Sequence, residues 1–398
     1  MGSIVSLERG LRAVVVKPAV LRVLYFTIVD IGRVDNGGGL VCRNHATRIA
    51  ETAKVSLTIC NVGPSAQRSG SEAFARQIDA DFRFLELDQD ARQPEIRSAF
   101  LFEREAAAQI RVHREIAQVI DDVRPDIVVV DYLFSALYAP AIYRRRGLRR
   151  ITITLNKESR FFAELPTPQH SPSALRNVVR RLWLYEQSIY ARSHTVVALN
   201  GSDVPPFPWL RRVTIAPIFE GGAKSWHGGE GTLCFVGNVN HLPNRQAIEW
   251  LCFNLAPELA KHSAARIVIV GAGPDAFPSG VPGNVDLLGA STTEAVEQLC
   301  RECGLFLAPI ANSHGSKIKL LQCLSLGTPF LATRNALSGL PGLEAPLIDL
   351  DDAPAAARLA AVLLADHERR ADLSNSLTAY RARALVGQRQ AWSKVLHG

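Results

Sequence analysis

The feature that most limits what this chain can fold into is a rhythm of short apolar runs, each separated from the next by a helical pattern. In the first half the runs are Leu21 to Thr27, Val55 to Cys60, Phe82 to Leu87, Asp126 to Asp131, Ile151 to Leu155 and Thr195 to Leu199. Most are continuously apolar rather than alternating, which is how strands read when both faces of their sheet are covered. Helical patterns fill the gaps, from about Leu40 to Thr52 and from Ile96 to Val123. Strand, helix, strand in repetition predicts a parallel sheet with helices on both sides.

The stretch Asn200 to Arg212 interrupts the rhythm with Gly201, Pro205, Pro206 and Pro208, and reads as an interdomain linker. A second series follows: Thr232 to Gly237, Ala265 to Pro274, Val285 to Gly289, Leu305 to Pro309 and Phe330 to Ala332. Helical patterns cover Asn244 to Leu255, Ala353 to Ala365 and the chain from His367 onward. A chain of 398 residues exceeds what one hydrophobic core usually organises. The expected fold class is therefore α/β, with two tandem Rossmann-like domains and a cleft between them. The expected divisions are an N-terminal extension over 1–20, a first domain over 21–205, a second over 206–375, and a C-terminal helix over 376–398 able to cross back to the first domain.

The net charge of +7 implies an anionic partner: a nucleotide, a nucleic acid or an anionic membrane surface. Basic residues cluster at Arg144, Arg145, Arg146, Arg149 and Arg150, and again at Arg176, Arg180 and Arg181 beside Trp183, Leu184 and Tyr185. Interleaved aromatics suit an interfacial membrane contact, and no nucleic-acid-binding signature accompanies them. No stretch is long and apolar enough for a transmembrane helix, while Met1-Gly2-Ser3-Ile4-Val5-Ser6 formally fits an N-myristoylation pattern. The cysteine count is odd, seven, and most cysteines sit in apolar runs, as reduced core thiols do. Cys300 and Cys303 have CxxC spacing without a second pair or His tract near them, in a segment that reads as helical, so neither metal binding nor redox use is expected.

In open α/β sheets, ligands bind beyond the carboxyl ends of the strands. Gly37-Gly38-Gly39 and Gly271-Ala272-Gly273 lie at such ends, and neither has the G-x-G-x-x-G spacing of a dinucleotide site. The stretch from His314 to Thr333 is the richest. Gly315 and Ser316 open a helix whose buried face carries Ile318, Leu321 and Leu324. Gly327 and Pro329 then stop it before a short strand. Free amides at the helix start, with Lys317 and Lys319 in its first turn, make a seat for a phosphate. Asp131 ends a buried strand at the cleft edge and Glu158 follows the next one, so these carboxylates are the candidates for a base.

Taken together these motifs resemble glycosyltransferase family 4 and its group 1 relatives, which have the GT-B fold. The resemblance is carried by Phe235-Val236-Gly237-Asn238-Val239-Asn240, by Val268 to Pro274, and by Gly315 to Thr333. In the first half Asn156-Lys157-Glu158-Ser159 is similar to a His-Asn-x-Glu segment of some members. The resemblance implies a nucleotide-sugar donor as substrate, no cofactor and no metal. Lys319, with Lys317, would neutralise the donor diphosphate, and the amides of Gly315 and Ser316 would cradle it. Gly237, Asn238 and Gly271 would allow close approach of the donor, and Gly37, Gly38 and Gly39 would form an acceptor-side loop. Gln322 stands where the family usually has a Glu that holds the ribose, and His314 stands where it has another Glu. The implied activity is transfer of a hexose, with retention at the anomeric carbon, to a glycan or lipid-linked acceptor in polysaccharide biosynthesis, in the cytoplasm or at the inner face of the membrane. A GT-B-like epimerase or a non-enzymatic nucleotide-sugar-binding protein is the alternative.

Overall fold

The computed structural model describes residues 20–34, 37–87, 106–164, 172–204, 207–220, 225–229, 231–276, 280–311 and 318–398. Its first half runs β1 (Leu21–Thr27), α1 (Gly37–Ala50), β2 (Val55–Gly63), α2 (Arg68–Gln77), β3 (Asp81–Glu86), α3 (Ala106–Val123), β4 (Ile127–Asp131), α4 (Ser135–Tyr138), α5 (Pro140–Arg144), β5 (Arg149–Thr154), α6 (Glu158–Glu164), α7 (Pro172–Arg192), β6 (Thr195–Ala198) and β7 (Arg211–Thr214). These strands form one parallel sheet in the order β3-β2-β1-β4-β5-β6-β7. The order changes direction between β1 and β4.

The second half repeats the plan with β8 (Thr232–Val236), α8 (Leu242–Trp250), a π turn over Leu251–Leu255, α9 (Ala256–Leu259), β9 (Arg266–Val270), β10 (Val285–Leu288), α10 (Thr293–Glu302), β11 (Leu305–Ala308), α11 (Ile318–Leu326), β12 (Phe330–Ala332), α12 (Ala353–Ala365) and α13 (His367–His397). Its sheet has the order β10-β9-β8-β11-β12 and reverses between β8 and β11.

Both sheets are covered on two faces, as the continuous apolar runs require. Leu24, Phe26, Val128 and Val130 face one core of the first domain, and Val23, Tyr25, Ile127 and Val129 face the other. In the second domain Leu233, Phe235, Ile267 and Ile269 pack to one side, with Cys234, Val236, Phe306 and Phe330 to the other. Each such side chain contributes about 1.5–3 kcal/mol by leaving water, so the alternation fixes strand register as well as stability.

The expected linker is shorter than Asn200 to Arg212. Its last residues enter β7, which lies beside β6 as the edge of the first sheet. The first sheet therefore extends past the 205/206 division. Arg211 and Arg212 are exposed on that edge, a common way of keeping an edge strand from pairing with another chain. The same charges hide a four-residue strand from a reading based on apolar runs.

The helix α13 joins the domains. Near its start Arg370 is fully buried and donates to the carbonyls of Leu363 (2.8 Å) and Leu364, and Leu377 enters a core of the second domain. Near its end Trp392, Val395 and Leu396 enter a core of the first. Arg149 donates to the carbonyls of Leu396 (2.7 Å) and Val395 (2.5 Å), which caps the helix end with a cation. Between these anchors Gln388 donates to Asn44 Oδ1 (2.6 Å) and to the carbonyl of Ala216 (2.7 Å), while Arg389 pairs with Glu51 (3.0 Å) and Glu220 (2.8 Å). Arg48, 2% exposed, meets the same two carboxylates at 2.5 and 3.0 Å.

Candidate functional site

The two reversals of strand order place the cleft. At the first, α1 begins at Gly37, just beyond the carboxyl end of β1. A Cβ on Gly37 would stand 2.9 Å from Cγ1 of Ile318, the first residue of α11. The glycine-rich start of α1 and the amino end of α11 thus meet across the cleft, at a distance only a residue without a side chain allows. Gly38 and Gly39 continue the first turn of α1.

At the second reversal, Gly237 follows β8 and Gly271 follows β9. The two turns interlock: Gly237 N donates to Val270 O (2.9 Å) and Val239 N to Gly271 O (3.1 Å). Gly271 has φ +100°, and a Cβ there would lie 2.4 Å from the carbonyl oxygen of Gly237. Backbone cannot yield as a side chain can. Gly271→Ala is accordingly expected to lower the unfolding free energy by about 2–3 kcal/mol, read from the urea midpoint. Asn238 is exposed beside this interlock, its Oδ1 accepting from Asn240 N (2.8 Å) and its carbonyl accepting from Asn244 Nδ2 (3.1 Å).

On α11, Leu320, Leu321, Cys323 and Leu324 are buried, leaving Lys319 and Gln322 half-buried. Burial pulls the Lys319 ammonium below the ordinary lysine pKa, and the neighbouring sulfurs of Cys300 and Cys323 partly offset this. The Oε1 atom of Gln322 is buried and has no hydrogen-bond partner among the described residues. His314, Gly315, Ser316 and Lys317 lie outside the described residues, as do Met1 to Ser6.

The two candidate bases sit deeper than their places in the sequence imply. Asp131 is fully buried at the end of β4, and burial pushes its carboxyl up to about 8. The Tyr25 hydroxyl contacts both Asp131 Oδ2 and the carbonyl of Cys42 (3.0 Å). A phenol has one proton for these two acceptors, so a protonated Asp131 supplies the second. This arrangement ties Asp131 to the face of the sheet on which α1 packs. Glu158 is 2% exposed in the first turn of α6, raised to about 8 by burial and by the charges of Glu186 and Asp203. Asn156 Nδ2 donates to its Oε1 at 3.4 Å.

Sequence reasoning missed the groups around these two. Glu186 from α7 and Asp203 bring two more buried carboxyls to Glu158, and neither lies near it in sequence. Tyr132, immediately after Asp131, has φ +71°, a strained backbone for a non-glycine residue and one that concentrates at functional sites. It is held there by its N–H to Ile153 O (3.1 Å) and by Ser135, which donates to Asp131 O (2.5 Å).

Because Asp131 and Glu158 have folded-state pKa values above their ordinary ones, the stability they support is fully present below about pH 4 and is lost as pH rises through about 8. The melting temperature is expected to fall between about pH 4 and 8 and to level off above that. Asp131→Asn, which keeps a neutral side chain at every pH, should flatten part of that slope in a pH series of thermal melts.

Two facing Rossmann-like domains, each with its strand order reversing at the shared cleft, define the GT-B class of folds. Comparison with solved structures agrees over almost the whole chain. Sucrose-phosphate synthase from Thermosynechococcus elongatus superposes with a TM-score of 0.61 at 13% identity, over 92% of this chain and 94% of that one. Anabaena HepE in complex with UDP and glucose gives 0.61 at 12% identity, over 95% and 99%. A glycosyltransferase from Rickettsia africae gives 0.58 at 10% identity, over 96% and 97%. Residues 230–366 match the family described as Glycosyl transferases group 1, which places the second domain with that family. No protein of curated function matches the chain.

Proposed function

We propose that this chain transfers a sugar from a nucleotide-sugar donor to a glycan or lipid-linked acceptor without a metal. One observation carries the reading: the amino end of α11, bearing Lys319, meets the glycine-rich start of α1 at the mouth of both strand reversals. Departure of a nucleoside diphosphate develops negative charge. The helix-start amides and Lys319 place positive charge where it develops, already oriented. Gln322 Oε1, an acceptor with no partner among the described residues, suits a ribose hydroxyl as donor. With Asp131 and Glu158 largely protonated at neutral pH, the base closest to the incoming hydroxyl is the departing diphosphate itself. Such a base sits on the face the leaving group vacates and supports a retaining course.

The test is a thermal-shift screen over UDP-, GDP-, ADP- and dTDP-sugars, since a bound donor raises apparent stability by mass action. Product analysis with and without acceptor follows. A sugar nucleotide isomerised or hydrolysed at full rate in the absence of acceptor would instead identify an epimerase, and tight binding without any turnover a binding protein.

The membrane part of the proposal rests on α7. Among its described side chains, Arg176, Asn177, Arg180, Arg181, Trp183 and Leu184 are exposed, whereas its one acidic residue, Glu186, is buried. Trp183 is 45% and Leu184 51% exposed. This face presents cations and apolar groups together, as interfacial helices do. No described helix is long and apolar enough to cross a membrane, so contact at the cytoplasmic face would be peripheral. The chain is expected to co-sediment with vesicles containing phosphatidylglycerol and not with pure phosphatidylcholine, and Arg180→Glu should reduce the bound fraction several-fold. Equal sedimentation with both vesicle types would remove the membrane from the proposal.

A further inference from the structure

Sugar transfer leaves one group of reactive side chains unused. Cys234 on β8, Cys300 in the last turn of α10, Cys303 just before β11 and Cys323 on α11 come together in the second domain, each at most 3% exposed. The sulfurs of Cys234 and Cys303 are 3.1 Å apart. The Cys303 sulfur also donates to the carbonyl of Cys300 (3.6 Å). The backbone under them is fixed: Trp226 Nε1 donates to Cys303 O (2.8 Å), Thr328 Oγ1 to Cys300 O (2.8 Å), and strand pairing sets Phe306 opposite Cys234. Among the described residues no group of three or more His, Cys, Asp and Glu side chains is arranged to hold a metal ion. The cluster therefore reads as redox chemistry, because a sulfur pair this close needs only about 1 Å of approach to reach disulfide length.

We propose that Cys234 and Cys303 form a site at which hydrogen peroxide introduces a disulfide. The Cys303 thiol attacks peroxide, giving a sulfenic acid and releasing water. The Cys234 sulfur then displaces hydroxide from the Cys303 sulfur, closing the S–S bond, and the Cys234 proton joins that hydroxide as a second water. Two thiols are oxidised and one peroxide is reduced to two waters. An isolated buried thiol is ordinarily inert. This pair differs because the second sulfur already stands 3.1 Å from the first, so a sulfenic acid formed on Cys303 meets its resolving thiol at once. In a reducing compartment such a bond is transient and suits sensing rather than structure.

The experiment treats the folded full-length chain with hydrogen peroxide, alkylates the remaining thiols under denaturing conditions and maps peptides by mass spectrometry. The expected result is a Cys234–Cys303 cross-link that dithiothreitol reverses, with two fewer alkylated thiols. Cys42, Cys60 and Cys252, which are buried elsewhere, stay reduced. Cys303→Ser should abolish the cross-link. Cys300→Ser, which keeps both paired sulfurs, should leave the Cys234–Cys303 cross-link in place. Alkylation of all seven thiols after peroxide, a cross-link that forms only in urea, or one zinc ion per chain in the purified protein would each overturn the proposal. The wild-type map decides the matter even if a variant fails to fold.

Discussion

Lys319→Ala is expected to reduce kcat/KM by roughly 100- to 1,000-fold, the usual loss when one preorganised group facing developing charge is removed. Donor affinity, measured by calorimetry with the sugar nucleotide that the thermal screen selects, should weaken with it. The melting temperature should stay level or rise. Burial already depresses the Lys319 pKa, so the ammonium costs the folded state free energy that alanine does not, and function is what retains the charge. Turnover and donor binding that survive unchanged in Lys319→Ala would falsify the placement of the diphosphate on α11. An equal loss of activity and melting temperature would recast Lys319 as a structural residue.

Trp392→Ala should produce the largest loss of stability, about 3–5 kcal/mol, typical of deleting a fully buried aromatic. Its ring packs edge-on to His45 of α1 with centroids 5.4 Å apart. Burial drives the His45 pKa down to about 3, so the imidazole packs against the indole as an uncharged ring. Urea unfolding followed on both domains should show the first domain losing protection before the second in the variant, since α13 reaches the first-domain core through Trp392, Val395 and Leu396. Trp392→Phe should recover most of the loss. A single unshifted transition in Trp392→Ala would mean that the end of α13 does not bind the first domain appreciably in solution.

Much of this architecture was legible in the sequence because burial on both faces leaves a plain mark. The runs at Leu21, Ile127 and Leu305 became strands within a residue or so of where the apolar pattern placed them, and the run at Val55 became one that continues three residues further, to Gly63. The fold class followed from their alternation with helices. Where the pattern failed, a different force had set the structure. Arg211 and Arg212 make β7 polar because an edge strand answers to solvent and to its one neighbour. For the site, composition gave residue types at strand ends but not depth. Asp131 and Glu158 have the same local context as exposed strand-end carboxylates, and only packing from α1 and α7 reveals them as buried acids. The thiol cluster was illegible for a related reason. Its CxxC pair is visible at Cys300 and Cys303, but the completing sulfurs come from a strand 69 residues before Cys303 and from the next helix.

The chain crosses between its domains twice, once through residues 215–220 and once along α13, and Gln388 and Arg389 bond the two crossings together. Two connections fastened side by side leave one easy relative motion, a rotation about the line through them. Opening or closing the cleft then displaces Gly37 against Ile318 most and the Arg48–Glu51–Glu220–Arg389 group least. That charged group behaves as the pivot of a lever. A substitution there would change how far Gly37 and Ile318 travel while leaving the side chains at the mouth of the cleft untouched.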